Sequence, residues 1–239
     1  DIDLYVFVTA PVPLEARVEL VVAMGGATQA DMDLDFWDAG DEWFHAPTGI
    51  EIDVMYWDTR WVEETLDRVI VYHQPSLGYS TAHWHTIRST EVLFDRSGWL
   101  ARLKQRSEQP YPEELRRVVI RRNHAILRGV IPAYLHQVKK AAGRGDLVSV
   151  NHRVAAFLAS YFDLIFAANG VLHPGEKRLL DQARRLCPSL PPRMEEEVSA
   201  VLYSAGEPRS AVVERLMELC EALDGWLIEK EPWLKAAGN

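Results

Sequence analysis

Cysteine is nearly absent from this 239-residue chain, which carries only Cys187 and Cys220. Both fall in helix-like segments without framework spacing. This excludes a disulfide scaffold and suits the reduced, partly buried thiols of a cytoplasmic protein. Long apolar runs are missing as well. No stretch approaches the roughly 20 residues of a membrane span, and no secretory signal pattern is found. There is no internal repeat and no low-complexity tract. Basic residues are scarce at one end: residues 1–70 hold 16 acids and 3 bases, whereas the remainder holds 19 acids and 23 bases. Within 96–153 there are 13 bases against 4 acids. The net charge of −9 therefore conceals an acidic first module and a basic second one. Such a pair suits a cation site beside a surface that accepts phosphates, and equally two halves that attract each other. What is plentiful is apolar side chain, 48% of the chain. That is enough for one large domain or two small ones.

The apolar pattern predicts an α+β chain. Residues 3–8 read as a strand, and Leu14 to Ala23 as a helix ended by Gly25-Gly26. Asp31 to Asp41 reads as an acidic loop with at most a short strand. Glu42 to His45 and Ile50 to Trp57 flank Pro47-Thr48-Gly49 in the manner of a hairpin. Asp58-Thr59 then caps a helix to about Ile70. Glu91 to Asp95 reads as a last strand, after which strand signals vanish. A helix opens at Pro112 and runs to Ala142 with a kink at Pro132. Asp146 caps the next, which stops at Asn169-Gly170. Pro174 starts another through Cys187, and Pro191-Pro192 and Ser210 precede two more. The expected organisation is a small mixed sheet with helices over 1–98, followed by a helical bundle over 99–239.

Acidic residues stand out in segments that otherwise read as core strands. Asp1 and Asp3 project to one face of the first strand, and Glu51 and Asp53 share a face of a later one. If the two strands are neighbours, Asp1, Asp3 and Asp53 can converge. Three carboxylates at one point call for a neutralising cation, and hard oxygen ligands of this kind suit Mg²⁺. A frayed terminus and a water-facing Asp53 are the simpler alternative.

At these positions the sequence resembles the polymerase-beta-like nucleotidyltransferases, which carry Asp-x-Asp on one strand and a third Asp on a later strand. Asp1-Ile2-Asp3-Leu4-Tyr5-Val6 resembles the first element and Glu51-Ile52-Asp53-Val54 the second. The layout is similar to small antibiotic nucleotidyltransferases with a helical C-terminal half. The motif resemblance covers about the first 60 residues. The family's Gly-Ser turn belongs upstream of the Asp pair, and this sequence begins at the pair. The resemblance implies transfer of a nucleoside monophosphate, AMP from ATP or another NTP, to a hydroxyl of a small and aminoglycoside-like acceptor. It implies one or two Mg²⁺ ions on Asp1, Asp3 and Asp53, with Asp53 helping to deprotonate the acceptor. Glu51 is the same-strand alternative as general base; an exposed strand acid is its simpler reading. Two other readings are adenylylation of a protein partner, as in antitoxin-type relatives, and an inert RNA- or protein-binding relative. Nucleotide and acceptor are the expected partners. A homodimer or a protein partner is left open, nucleic acid is disfavoured and no membrane is expected.

Other residues are weighed against plainer roles. Asp163 lies in a nearly all-apolar helix and needs a partner. His152, eleven residues earlier, is the expected one. The resemblance adds an acceptor-site role for Asp163, because helical domains of the antibiotic enzymes supply such a carboxylate. Lys177 and Arg178, after the Asn169–Pro174 turn, can reach phosphates or simply solvate a helix end. His73, His83 and His85 are a poor zinc set without a fourth ligand. Arg117 and His124, two turns apart, resemble the Arg–His spacing of small helical ribonuclease toxins, but a run of arginines more simply forms a solvated face. Tyr56, Trp57, Trp61 and Trp84 can stack on a base or sugar, and at this density read first as core.

Overall fold

The computed structural model describes residues 1–206 and 211–236. The chain is α+β, with all its described strands at the N-terminal end. It separates into two compact units, Asp1–Asp67 and Arg68–Asn239. Each is described by itself.

The first unit holds β1 (Ile2–Val8), α1 (Leu14–Ala23), β2 (Ala27–Leu34), β3 (Gly40–His45), β4 (Glu51–Asp58) and most of α2 (Thr59–Ile70). The sheet order is β1-β4-β3-β2. β1 runs parallel to β4, and the other pairs are antiparallel. The parallel pair is possible because β1 and β4 are far apart in sequence, with α1, β2 and β3 between them. β4 is interior, and its apolar residues at alternate positions explain why. Ile52 and Val54 are buried together with Trp43 and with Val21 of α1. Leu4, Val6, Ala27, Met32 and Tyr56 pack around them. Covering one such side chain stabilises by about 1.5–3 kcal/mol, so this α1-covered face fixes the register. Gly40 is demanded at the start of β3, since a Cβ there would lie 2.8 Å from the Val54 carbonyl oxygen.

The same face holds a buried ion pair. Asp41, 1% exposed, accepts from Arg17 Nη1 at 2.5 Å, from the Tyr56 hydroxyl at 2.7 Å and from the Asp33 amide at 2.9 Å. Arg17 also donates to Asp33 at 2.7 Å. The hydrogen bond to Asp41 raises the Arg17 pKa. Burial, with the Asp41 bond next, raises that of Tyr56.

The second unit is helical: α3 (Ala82–Ser89), α4 (Trp99–Ser107), α5 (Glu113–His124), a π-turn over Ala125–Gly129, α6 (Tyr134–Gly143), α7 (Leu147–Ala168), α8 (Leu179–Leu186), α9 (Met194–Ser204), α10 (Val212–Lys230) and α11 (Trp233–Ala236). α7 packs against α5, α6 and α8, and is buried along most of its C-terminal half. Asp146 caps it as expected, accepting from the Ser149 amide at 3.0 Å.

Several details differ from the sequence reading. Of the acidic stretch Asp31–Asp41, Asp31–Leu34 closes the edge strand β2, which already begins at Ala27, and 35–39 form the expected loop before β3. Glu91–Asp95 is not a strand: Leu93 and Phe94 are each 75% exposed, and an apolar run makes a strand only where a sheet edge receives it. Pro132 ends a helix rather than kinking one. It lacks an amide hydrogen and crowds the carbonyl four residues back, so the chain is extended at Val130 and α6 restarts after Ala133. The helix expected from Pro174 begins at Leu179. The compact division falls at Asp67–Arg68, ahead of the line drawn after residue 98, because α3 packs on α4. The helix start expected at Ser210 lies outside the described residues.

Candidate active site: a row of carboxylates across the sheet

Strand register assembles the site. Asp3 of β1 is the direct partner of Asp53 of β4. Asp53 in turn faces Glu42 of β3, and Glu42 faces Asp31 of β2. Residues paired in this way point to one side, so Asp3, Asp53, Glu42 and Asp31 form a row across all four strands, on the face opposite α1. Glu51, two residues before Asp53, joins them. Asp1 shares the β1 face with Asp3, and both are exposed, whereas Glu42, Glu51 and Asp53 are half-buried.

Like charges in direct cross-strand register repel. The Glu42 carboxyl accordingly rises above the usual carboxylate range. Its hydrogen bond with Glu51 is the largest cause, followed by burial and by the charges of Glu51, Asp53 and Asp31. Arg17 offers no relief, being committed to Asp41 and Asp33. Further along the same face the row gives way to aromatic rings. Tyr5 and Phe7 lie 4.6 Å and 6.1 Å from Trp57, and Trp61 lies 5.6 Å from it. Trp57 is buried, as the plainer reading had it, whereas Trp61 is 39% exposed.

The donor set is all carboxylate oxygen, which fits a hard divalent cation such as Mg²⁺ and not zinc or copper. Among the described residues, however, no three His, Cys, Asp or Glu side chains stand close enough to hold a metal ion as they are. This applies to Asp1, Asp3 and Asp53, and to His73, His83 and His85. Glu42 and Asp31 were not among the residues singled out from sequence. For Asp31 there was a signal: it stands beside Met32 in a segment where acids and apolar residues alternate with the period of a strand.

Asp163 has different company from that expected. It is 2% exposed and accepts from the Ser80 amide at 3.0 Å, the Ser80 hydroxyl at 2.5 Å and Asn123 Nδ2 at 2.8 Å. Burial pushes its pKa up to about 6 against the pull of these three donors. Asn123 Oδ1 in turn accepts from the Gly78 amide at 3.2 Å. His152 is exposed. Eleven residues bring it to the same helical face but about 16 Å away along the axis. The Asp163 node thus clamps the Gly78–Thr81 turn, in which Gly78 and Tyr79 both have positive φ. Beside it His173, fully buried, receives the Gly175 amide on Nδ1 at 3.2 Å, and burial lowers its pKa to about 4.

Lys177 and Arg178 are exposed in the turn before α8. Part of the basic surplus of α5 and of the π-turn after it is answered within the helical unit. Arg116 pairs with Glu113 and Glu231, Arg117 with Glu113 at 2.8 Å, and Arg128 with Asp224. His124 sits 2.7 Å from the same Asp224, so Arg117 and His124 are turned to different carboxylates.

Residues 78–179 match a family described only as a domain of unknown function, DUF4037. The match takes in Asn123, Asp163 and Lys177 and leaves out Asp3 and Asp53. No curated protein matches the chain. Among solved structures it is similar to a nucleotidyltransferase-like protein from Exiguobacterium sibiricum, at 16% identity and a TM-score of 0.47. That alignment covers 78% of this chain and 58% of the other, so the chain spans less than two thirds of its neighbour. Among the described residues no helix is long and apolar enough to cross a membrane.

Proposed function

We propose that this chain is a Mg²⁺-dependent nucleotidyltransferase that moves a nucleoside monophosphate, AMP from ATP, to a hydroxyl of a small cationic molecule. The observation that carries the reading is the register of Asp3 with Asp53 on neighbouring parallel strands, extended by Glu42. Carboxylates set one strand apart, about 4.8 Å, can turn inward on a shared cation with side-chain rotations alone. Asp3 and Asp53 would hold the ion, with Asp1 joining them from the exposed head of β1. When bound, Mg²⁺ neutralises the phosphates and the charge that develops at the leaving oxygen.

The residues then divide the work. Asp53 accepts the proton of the acceptor hydroxyl as its oxygen attacks the α-phosphorus. The bond to the bridging oxygen breaks, and pyrophosphate departs with the electron pair. Glu42, its carboxyl already raised by its neighbours, is placed on the same face to take the proton onward. The acidic surplus of residues 1–70 favours a cationic acceptor over an anionic one. Asp163, sealed and fully hydrogen-bonded, serves in this reading to hold the Gly78–Thr81 turn rather than to touch the acceptor.

The test is pyrophosphate release from ATP by the full chain with Mg²⁺. Asp53→Asn lowers it by about a hundredfold or more if the carboxylate acts in the transition state. Undiminished turnover would remove Asp53 from the reaction. Labelled ATP then separates the acceptors: a labelled small molecule supports this reading, and a labelled protein band supports protein adenylylation.

A further inference from the structure

We infer that the tip of the β2–β3 connection is a docking point for a basic polypeptide segment of a partner protein. At this tip Phe36 and Trp37 are 76% and 95% exposed, with ring centroids 6.2 Å apart at 62°. Large aromatics left this open on a folded surface are uncommon, and an adjacent pair is a typical centre of protein recognition.

The tip is held, not loose. Asp38 accepts from the buried Trp57 indole at 3.1 Å, and the Ala39 carbonyl accepts from the Tyr56 amide at 2.8 Å. On the strand before it, Asp33 is fixed by Arg17 and by Asp41. Both ends of the turn are therefore tied to the sheet, and the rings are presented with little conformational freedom left to lose on binding.

Charge selects the occupant. Residues 1–70 carry 16 acids and 3 bases, and Asp35 stands exposed next to Phe36. Extended polyanions such as nucleic acid and anionic lipid do not fit this tip, which stands apart from the proposed cation site that would bridge a nucleotide's phosphates to the carboxylate row. A second copy meeting at the same tip would bring acid onto acid in a two-fold contact. What fits is a cationic chain: guanidinium or ammonium groups over the faces of Phe36 and Trp37, with carboxylates around them. A peptide also supplies aliphatic stems that cover the ring edges.

The experiment uses the full chain and fluorescein-labelled nona-arginine, read by fluorescence anisotropy at rising salt. Binding is expected to weaken with salt and to fall about tenfold in the Phe36→Ser/Trp37→Ser double variant, the worth of two exposed cation–π contacts. Asp35→Asn lowers it less. The melting temperature of the double variant stays near that of the parent, because both rings are solvent-exposed. Nona-arginine binding that the double variant leaves unchanged overturns the inference, since acidity alone then explains it. So does spermine binding with the same loss in the double variant, which would make the tip a small-cation site. A parent that dimerises in sedimentation while the double variant does not would assign the tip to a second copy and also overturns it.

Discussion

Glu42→Gln isolates the central claim about the sheet, namely that a row of like charges is tolerated there at a cost. Glu42 faces Asp53 on one side and Asp31 on the other, with Glu51 hydrogen-bonded to it. Each direct like-charge pair across strands costs on the order of 0.2–1 kcal/mol. Relieving two such pairs should stabilise the protein by about 1 kcal/mol at low salt, less the value of the shared Glu51 proton. For a chain of this size that is a rise of about 2–4 °C in melting temperature. The sign with pH follows from the raised carboxyl. The folded state holds the Glu42 proton more tightly than the unfolded state, so stability is greatest below the ordinary carboxylate range. It falls as pH rises through the raised value. Glu42→Gln should flatten that fall. The assay is thermal unfolding by circular dichroism in a few millimolar EDTA, from pH 4 to pH 8, repeated with Mg²⁺. Mg²⁺ should stabilise the parent more than the variant, because the parent's row has more charge to neutralise. A variant that melts lower than the parent in EDTA at pH 8 refutes the reasoning: Glu42 would then be held by attraction, and no cation would be called for.

The remaining predictions concern buried polar groups and one turn. Asp163→Ala leaves the Ser80 amide, the Ser80 hydroxyl and Asn123 Nδ2 without their acceptor, and should cost about 3–5 kcal/mol in urea unfolding. Because its pKa is raised to about 6, Asp163 makes stability fall as pH climbs from about 4 to about 6, and Asp163→Asn should remove that slope. Asp41→Ala strands the Arg17 guanidinium under α1, and a loss of about 3–5 kcal/mol is expected by denaturant titration. Gly78→Ala combines φ +71° with a Cβ 3.1 Å from Ala159 Cβ, and should cost about 1–3 kcal/mol with local loss of amide-exchange protection over 76–81.

The sequence alone determined the elements whose signals are local. Alternating apolar residues marked β1 and β4, the Pro47-Thr48-Gly49 turn marked the hairpin, and Asp146 marked the start of α7. A strand period of two put Asp1 with Asp3 and Glu51 with Asp53 on common faces before any partner was known. It did not say which strands are neighbours. The folded sheet sets β1 beside β4 in a register that places Asp3 against Asp53, and it continues the row through Glu42 and Asp31. The same limit hid the partners of Asp163, since Ser80 and Asn123 are 83 and 40 residues away along the chain. It also made a strand of Glu91–Asp95, where the local preference has no sheet edge to complete it. Helix caps and side-chain periodicity are set by interactions within a few residues, which a sequence displays. Pairing, burial and charge neutralisation are set by which distant segments share one core, and that is decided by the folded chain as a whole.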